Sequence, residues 1–224
     1  DLYPDSAHFI YELLQNAEDA EDDDGNGATE ASFVLSETGL VFEHNGRPFN
    51  ERDVYAITDI GEGTKAKDDD KIGRFGLGFK AVFSFSETPY IWSPTLSFKI
   101  EDLVLPSPLV ADDDIGKKTR FEFPFNNPSK PQHIAFSEVA AGLSELSETT
   151  LLYLTHLESI RWQIGQKTFG EVLRIQHSEN HIEVLKEVNG EMTVSSHFLK
   201  FDQRVDGLDR QRAAVAYALD YLPK

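Results

Sequence analysis

An α+β layered fold, with a mixed and largely antiparallel sheet and its helices on one face, is what this sequence predicts. Three observations carry that reading. Short alternations of apolar and polar residues, the mark of half-buried strands, recur along the chain, separated by stretches whose apolar residues fall at helical spacing. Their order lacks the regular strand–helix–strand repeat that builds a parallel sheet. The chain of 224 residues is 40% hydrophobic and 11% aromatic, which is enough apolar material for a sizeable core.

The first element is a helix over "FIYELLQNAEDA", Phe9 to Ala20. At about 100° per residue, Phe9, Ile10, Leu13, Leu14, Ala17 and Ala20 share one side, with Tyr11, Gln15 and Glu18 on the other. Glu12, Asn16 and Asp19, at i, i+4 and i+7, form a polar stripe along the border between the two. Groups drawn partly out of water there cost free energy unless a ligand, a metal or hydrogen-bond partners satisfy them. An acidic, glycine-bearing loop follows, "EDDDGNGAT". Then "EASFVL" and "GLVFEH", joined by "SETG", read as a β-hairpin. "NERDVYAIT" reads as a short helix capped at Asn50. Beyond the loop "DIGEGTKAKDDDKIGRFGLG", "FKAVFSF" is expected to be helical, and "PYIWS", "LSFKI" and "TRFEFPF" to be strands.

In the second half, "HIAFSEVAAGLSELS" has helical spacing. "TLLYLTHLESIRWQI", "EVLRIQHS", "HIEVLKEV" and "MTVSSHFLKF" read as antiparallel strands, with a tight turn at Asn189 and Gly190. The proline-bearing "NNPSKPQ" marks the best seam, so residues 1–125 are taken as a core and 126–224 as a β-rich extension packed on it.

Composition narrows the functional classes. A formal charge of −18 argues against direct binding of nucleic acid or of an anionic membrane. Cysteine is absent, which excludes thiolate chemistry and suits a reducing cytoplasm. No stretch reads as a membrane span or a secretory leader. The chain opens at Asp1 without a methionine and is read as a piece of a longer protein.

The loop "GEGTK…KIGRFGLGF" carries glycines at 61, 63, 73, 76 and 78, the last three spaced G-x-x-G-x-G before a helix. Glycines there permit positive φ and let backbone N–H groups approach an anion. Lys65, Lys67, Lys71, Arg74 and Lys80 offset the negative field locally. An acid–amide stripe and a glycine-rich anion cradle together suit a nucleotide and a magnesium ion.

"ELLQNAEDA", "EHNGRPF", "IGEGTK" and "IGRFGLGFKAVF", in this order and at these separations, resemble the GHKL ATPases. That superfamily includes the heat-shock-ninety chaperones, MutL, type II topoisomerases, MORC proteins and histidine kinases, and the sacsin-like branch is the nearest in form. The resemblance covers about the first 125 residues. It implies the Bergerat fold, an α/β sandwich with ATP held between helices under a mobile lid. By the same resemblance, Glu12 is the general base that activates water, Asn16 the magnesium ligand and Asp19 a second acid near the nucleotide. Ile60, Gly61, Thr64 and Lys65 match the start of the lid. Gly73, Arg74, Phe75, Gly76, Leu77, Gly78, Phe79 and Lys80 match its hinge and phosphate-binding end, and Thr119 a threonine beside the adenine.

One position departs from the family pattern. Where relatives carry an aspartate that accepts from the adenine amino group, "EHNGRPF" offers His44 or Asn45, followed by Gly46. Either can accept, the histidine only in the right neutral tautomer. The histidines at 8, 133, 156, 177, 181 and 197 show no metal-ligand spacing and are read as incidental. The resemblance thus implies a cytoplasmic, ATP-binding, Mg-dependent ATPase domain that switches the conformation or the homodimer state of a larger protein, chaperone-like or of antiviral-defence type. The other reading is a module that senses ATP with little hydrolysis and acts on the other domains of its chain.

Overall fold

The computed structural model describes residues 8–58, 79–204 and 212–219. The described residues begin with α1 (His8–Glu18), then the hairpin β1 (Glu30–Ser36) and β2 (Gly39–His44), then α2 (Glu51–Thr58). A 3-10 helix (Lys80–Ser84) leads to β3 (Tyr90–Trp92), β4 (Ser97–Glu101), β5 (Leu105–Pro108) and β6 (Thr119–Pro124), with a short 3-10 turn at Asp113–Ile115 before β6. Two helices follow, α3 (Gln132–Ser144) and α4 (Glu148–Leu152). The chain then runs through β7 (Ser159–Ile164), β8 (Thr168–Gln176), β9 (His181–Val188), β10 (Glu191–Arg204) and β11 (Arg212–Leu219).

The eleven strands among the described residues belong to one sheet, in the order β11-β10-β9-β8-β7-β1-β2-β6-β3-β4-β5. Its centre is the β1–β2 hairpin, in register from Ala31↔His44 to Ser36↔Gly39. On the free side of β1, β7 pairs in parallel, Glu30↔Ser159 to Leu35↔Ile164, and the other described pairings are antiparallel. The alternation of β1 sends Ala31, Phe33 and Leu35 to the buried face, where Phe33 meets Phe42 of β2 with ring centroids 4.7 Å apart. Helix α1 buries Phe9, Ile10, Leu13, Leu14 and Ala17 in the same core, and Phe9 packs on Phe85 at 4.9 Å. Each phenylalanine, isoleucine or leucine side chain so buried stabilises the fold by about 1.5–3 kcal/mol.

The α/β sandwich expected from the resemblance is corrected here. The molecule is mostly β: one mixed sheet takes strands from both halves, and only four short α-helices accompany it among the described residues. The physical reason lies at β1, whose outer edge is closed by β7 rather than left as the border of a core. Backbone groups there need partners, and the strands of the second half supply them by extending the same sheet.

Smaller expectations differ in the same direction. In "FKAVFSF", Phe79 is α-helical and Lys80–Ser84 continue as a 3-10 helix. In "TLLYLTHLESIRWQI" the first residues complete α4, whose N-terminus is closed by reciprocal bonds between Ser147 and Thr150, and the strand starts only at Ser159. β5 was not foreseen; its two prolines suit the outermost position it occupies in the sheet.

Candidate functional site

The polar stripe of α1 is divided by its surroundings. Glu12 and Asn16 are half-buried, whereas Asp19 is exposed and accepts a hydrogen bond from Gln15 Nε2 at 3.0 Å. Glu12 Oε1 lies 3.5 Å from His8 Nδ1, one turn back. The amide of Asn16 makes no side-chain hydrogen bond to another described residue. Glu18, expected on the water side, is instead buried at 7% exposure and accepts from three consecutive backbone amides, those of Thr155, His156 and Leu157. Helical periodicity could not show this, because its partner is a loop far along the chain.

The end of α1 abuts the Gly46 turn. Arg47 N–H donates to the Ala20 carbonyl at 3.0 Å. A Cβ on Gly46 would stand 2.8 Å from Ala20 Cβ and 2.9 Å from its oxygen, so only glycine permits this approach. Arg47 then forks onto Asp53 at 2.6 and 2.8 Å, fixing the loop to α2, whose N-terminus Asn50 caps as expected by accepting from Arg52 N–H at 2.8 Å.

His44, two residues before Gly46, closes β2 and is 2% exposed. Its ring packs beside those of Phe42 and Phe121, at 5.9 and 6.0 Å. Burial, with a smaller contribution from the nearby Arg47 charge, pushes its pKa down to about 4, so the imidazole is neutral. Nδ1 accepts from Gly46 N–H at 3.2 Å, which assigns the proton to Nε2. Thr119 sits opposite His44 in the β2–β6 register, fully buried, with Oγ1 3.2 Å from Ser93 Oγ. Ser93 Oγ in turn accepts from Phe49 N–H at 2.9 Å.

Asn45 faces elsewhere. Its Oδ1 accepts from Thr29 and Glu30 N–H, both at 2.9 Å, and its Nδ2 donates to Thr29 Oγ1 at 2.9 Å, tying the entry of β1 to the end of β2. Phe79 is buried in the aromatic core beside Phe83, Phe121 and Phe123, and Lys80 opens the 3-10 helix. Ile60, Gly61, Thr64, Lys65, Gly73, Arg74, Phe75, Gly76, Leu77 and Gly78 lie outside the described residues. The fold therefore brings together the end of α1, Gly46, His44, Thr119 and Ser93, with Asn16 and Glu12 about one and two helical turns back along α1.

A second group was missed by the sequence. Three histidines read as incidental, His177, His181 and His197, stand beside Glu183 on β9 and its neighbours. Alternation along β9 puts His181 and Glu183 on one face, but only the pairing with β10 adds His197.

The family described as the Sacsin domain matches residues 1–130, more than half of the chain. The chain belongs to that family. It is similar to Protein NO VEIN of Arabidopsis thaliana, 27% identical over 246 residues that take in 99% of this chain and 9% of that protein. It is also similar to Sacsin of Homo sapiens, 32% identical over 108 residues, which are 41% of this chain and 2% of that protein. The chain thus spans less than a tenth of either relative. No helix among the described residues is long and apolar enough to cross a membrane.

Proposed function

We propose that this domain binds ATP with Mg2+ and hydrolyses it slowly, switching its contacts within a longer cytoplasmic protein or with a second copy of itself. One observation carries the reading: Glu12 and Asn16 lie half-buried on one stripe of α1, in a family member whose α1 ends against the Gly46 turn and the buried His44. The donor chemistry suits a hard cation, since the Asn16 amide oxygen is an oxygen ligand not engaged by another described side chain. Bound Mg·ATP supplies a phosphoanhydride bond and the charge that offsets the leaving phosphate. The role of Asn16 is to hold the cation, and that of Glu12 to accept a proton from water. His44, neutral and protonated on Nε2, can donate to a base but cannot accept from it.

One contact favours a second reading, nucleotide sensing with little hydrolysis. Glu12 Oε1 has His8 Nδ1 3.5 Å away, and that contact competes for the carboxylate a water would need. Whether the longer protein is chaperone-like or of defence type is part of the proposal that its other regions decide. Titration calorimetry with Mg·ATP tests the binding step. We expect saturable binding by the wild-type chain and a loss of at least about tenfold in affinity for Asn16→Ala. No heat and no competition by ATP in the folded wild-type protein overturns the proposal.

A further inference from the structure

The outer face of the β8–β9–β10 segment gathers ligand chemistry that the nucleotide reading does not use. Strand β9 alternates, burying Ile182 and Val184 in the core and turning His181 and Glu183 to the other face. Strand β10 pairs with it so that His197 stands directly opposite Glu183. His177, just past β8, is held against β9 by its N–H bond to the His181 carbonyl at 2.9 Å. His177 Nε2 lies 2.6 Å from Glu183 Oε2, and His197 Nε2 lies 3.7 Å from Glu183 Oε1. One ligand atom from each of the three residues falls within 4.8 Å of those from the other two.

We propose that His177, Glu183 and His197 form a binding site for a divalent transition cation of the zinc type, two imidazoles and a carboxylate from β9, β10 and the residue just past β8, with water completing the coordination. Zinc–nitrogen and zinc–oxygen bonds of about 2.0–2.2 Å put tetrahedral ligands about 3.3 Å apart. Reaching that geometry opens the His177–Glu183 contact, closes the His197–Glu183 one and draws together the two imidazole nitrogens, which start within 4.8 Å of each other. Glu183 and His197 are each 17% exposed and His177 40%, so the site is open to solvent chiefly on the His177 side.

The surrounding contacts are those a metal-bound imidazole needs. With His197 Nε2 on the cation, its Nδ1–H donates to His181 Nε2, 3.0 Å away, which fixes the ring. Ser195 Oγ donates to Glu183 Oε1 at 3.2 Å, orienting the carboxylate. His181 is in this arrangement a positioning residue. Imidazole suits zinc and the later transition ions, whereas magnesium and calcium prefer sets made of oxygen alone, so the site is distinct in chemistry from the one on α1.

The bland alternative is a set of imidazoles hydrogen-bonded to one carboxylate, and it predicts no metal. The test uses tag-free chain stripped with a chelator, titrated with Zn2+ by calorimetry and with Co2+ by visible absorption. We expect one Zn2+ per chain and a Co2+ band of tetrahedral or five-coordinate intensity. His177→Ala, His197→Ala and Glu183→Gln should each weaken Zn2+ binding by more than about 100-fold, and His181→Ala by about 10–100-fold. His133→Ala, at an exposed position on α3, should change nothing. Absence of the Co2+ band in folded wild-type protein overturns the proposal, whatever the variants do. Equal zinc affinity in the wild type and the three ligand variants overturns it as well.

Discussion

Leu157 N–H, at the entry to β7, donates to Glu18 Oε2 at the end of α1 over 3.0 Å. The same carboxylate accepts from His156 N–H at 2.8 Å and from Thr155 N–H, so a helix near the start of the chain closes a loop some 140 residues on. From the other side, Arg174 of β8 donates to the Thr155 carbonyl at 2.8 Å and to that of Leu154. The parallel pairing of β7 with β1 starts two residues beyond Leu157, so these bonds set where the second half joins the sheet.

Glu18→Ala leaves three amides without their acceptor. Each bond to a charged group contributes about 1.5–3 kcal/mol, and a buried orphan N–H costs a comparable amount. Local relaxation and water recover part of this, so we expect a loss of about 3 kcal/mol in urea unfolding, and about half as much for Glu18→Gln. Unfolding midpoints equal to wild type would show that the loop is held by something else.

His44 makes stability depend on pH. Its folded pKa of about 4 lies below the unfolded value of about 6.5, so the unfolded chain binds more protons between them. The contribution is therefore full above about pH 6.5 and is lost as the pH falls towards 4. A difference of about 2.5 units corresponds to about 3 kcal/mol. His44→Gln, which cannot titrate, should lose about that much less stability than wild type between pH 7 and pH 4. Parallel curves for the two proteins would mean that the ring is not buried as described.

Gly170 of β8 faces Trp162 of β7 across the strand pair. A Cβ at residue 170 would fall 2.2 Å from the indole Cε2 and Cζ2, well inside contact distance. Trp162 is 3% exposed and has little room to retreat. Gly170→Ala should destabilise the protein by about 1–3 kcal/mol, as overpacking does, and shift the tryptophan emission to the red. Unchanged emission and stability would show that the sheet yields there.

How far the sequence could be read depended on how local each cause was. The β1–β2 hairpin, the Asn50 cap and the Asn189–Gly190 turn rest on neighbours in sequence, and all three formed. The parallel β1–β7 pairing rests on residues more than a hundred positions apart, so the size of the sheet stayed hidden. The histidine group was concealed by a subtler event. Carried on from Glu191↔Val188, an unbroken register would set His197 against Ile182, on the core side. The irregularity between Met192 and Val194 moves it opposite Glu183 instead. Among the candidate nucleotide residues, the half-buried Glu12 and Asn16 of α1 were legible from periodicity, while the exposure of Asp19 and the engagement of Asn45 with Thr29 and Glu30 were not.

That engagement bears on base selectivity. Asn45 Oδ1 already accepts two hydrogen bonds, and His44 offers Nε2–H, a donor. Neither is free to accept from the 6-amino group that distinguishes adenine, and strong rejection of an analogue requires a polar group left unpaired by it. On the proposed function, ATP and inosine triphosphate should bind within about tenfold of each other. A preference for ATP above about a hundredfold would place adenine recognition on other residues.

The last expectation concerns Glu12 and separates binding from turnover. Contacts to the bound nucleotide survive when a proton acceptor for water is removed, because that acceptor acts only in the transition state. Glu12→Ala should therefore keep its affinity for Mg·ATP and lose about 10²–10⁴ in kcat. His8→Ala removes the neighbour 3.5 Å away that competes for the same carboxylate, so it should leave the rate equal or raise it. The assay is steady-state phosphate release by the longest available form of the protein, because this chain is a small part of its relatives. A Glu12→Ala rate equal to wild type would remove the residue from catalysis. Tight binding without measurable release by the wild type would select the sensing reading.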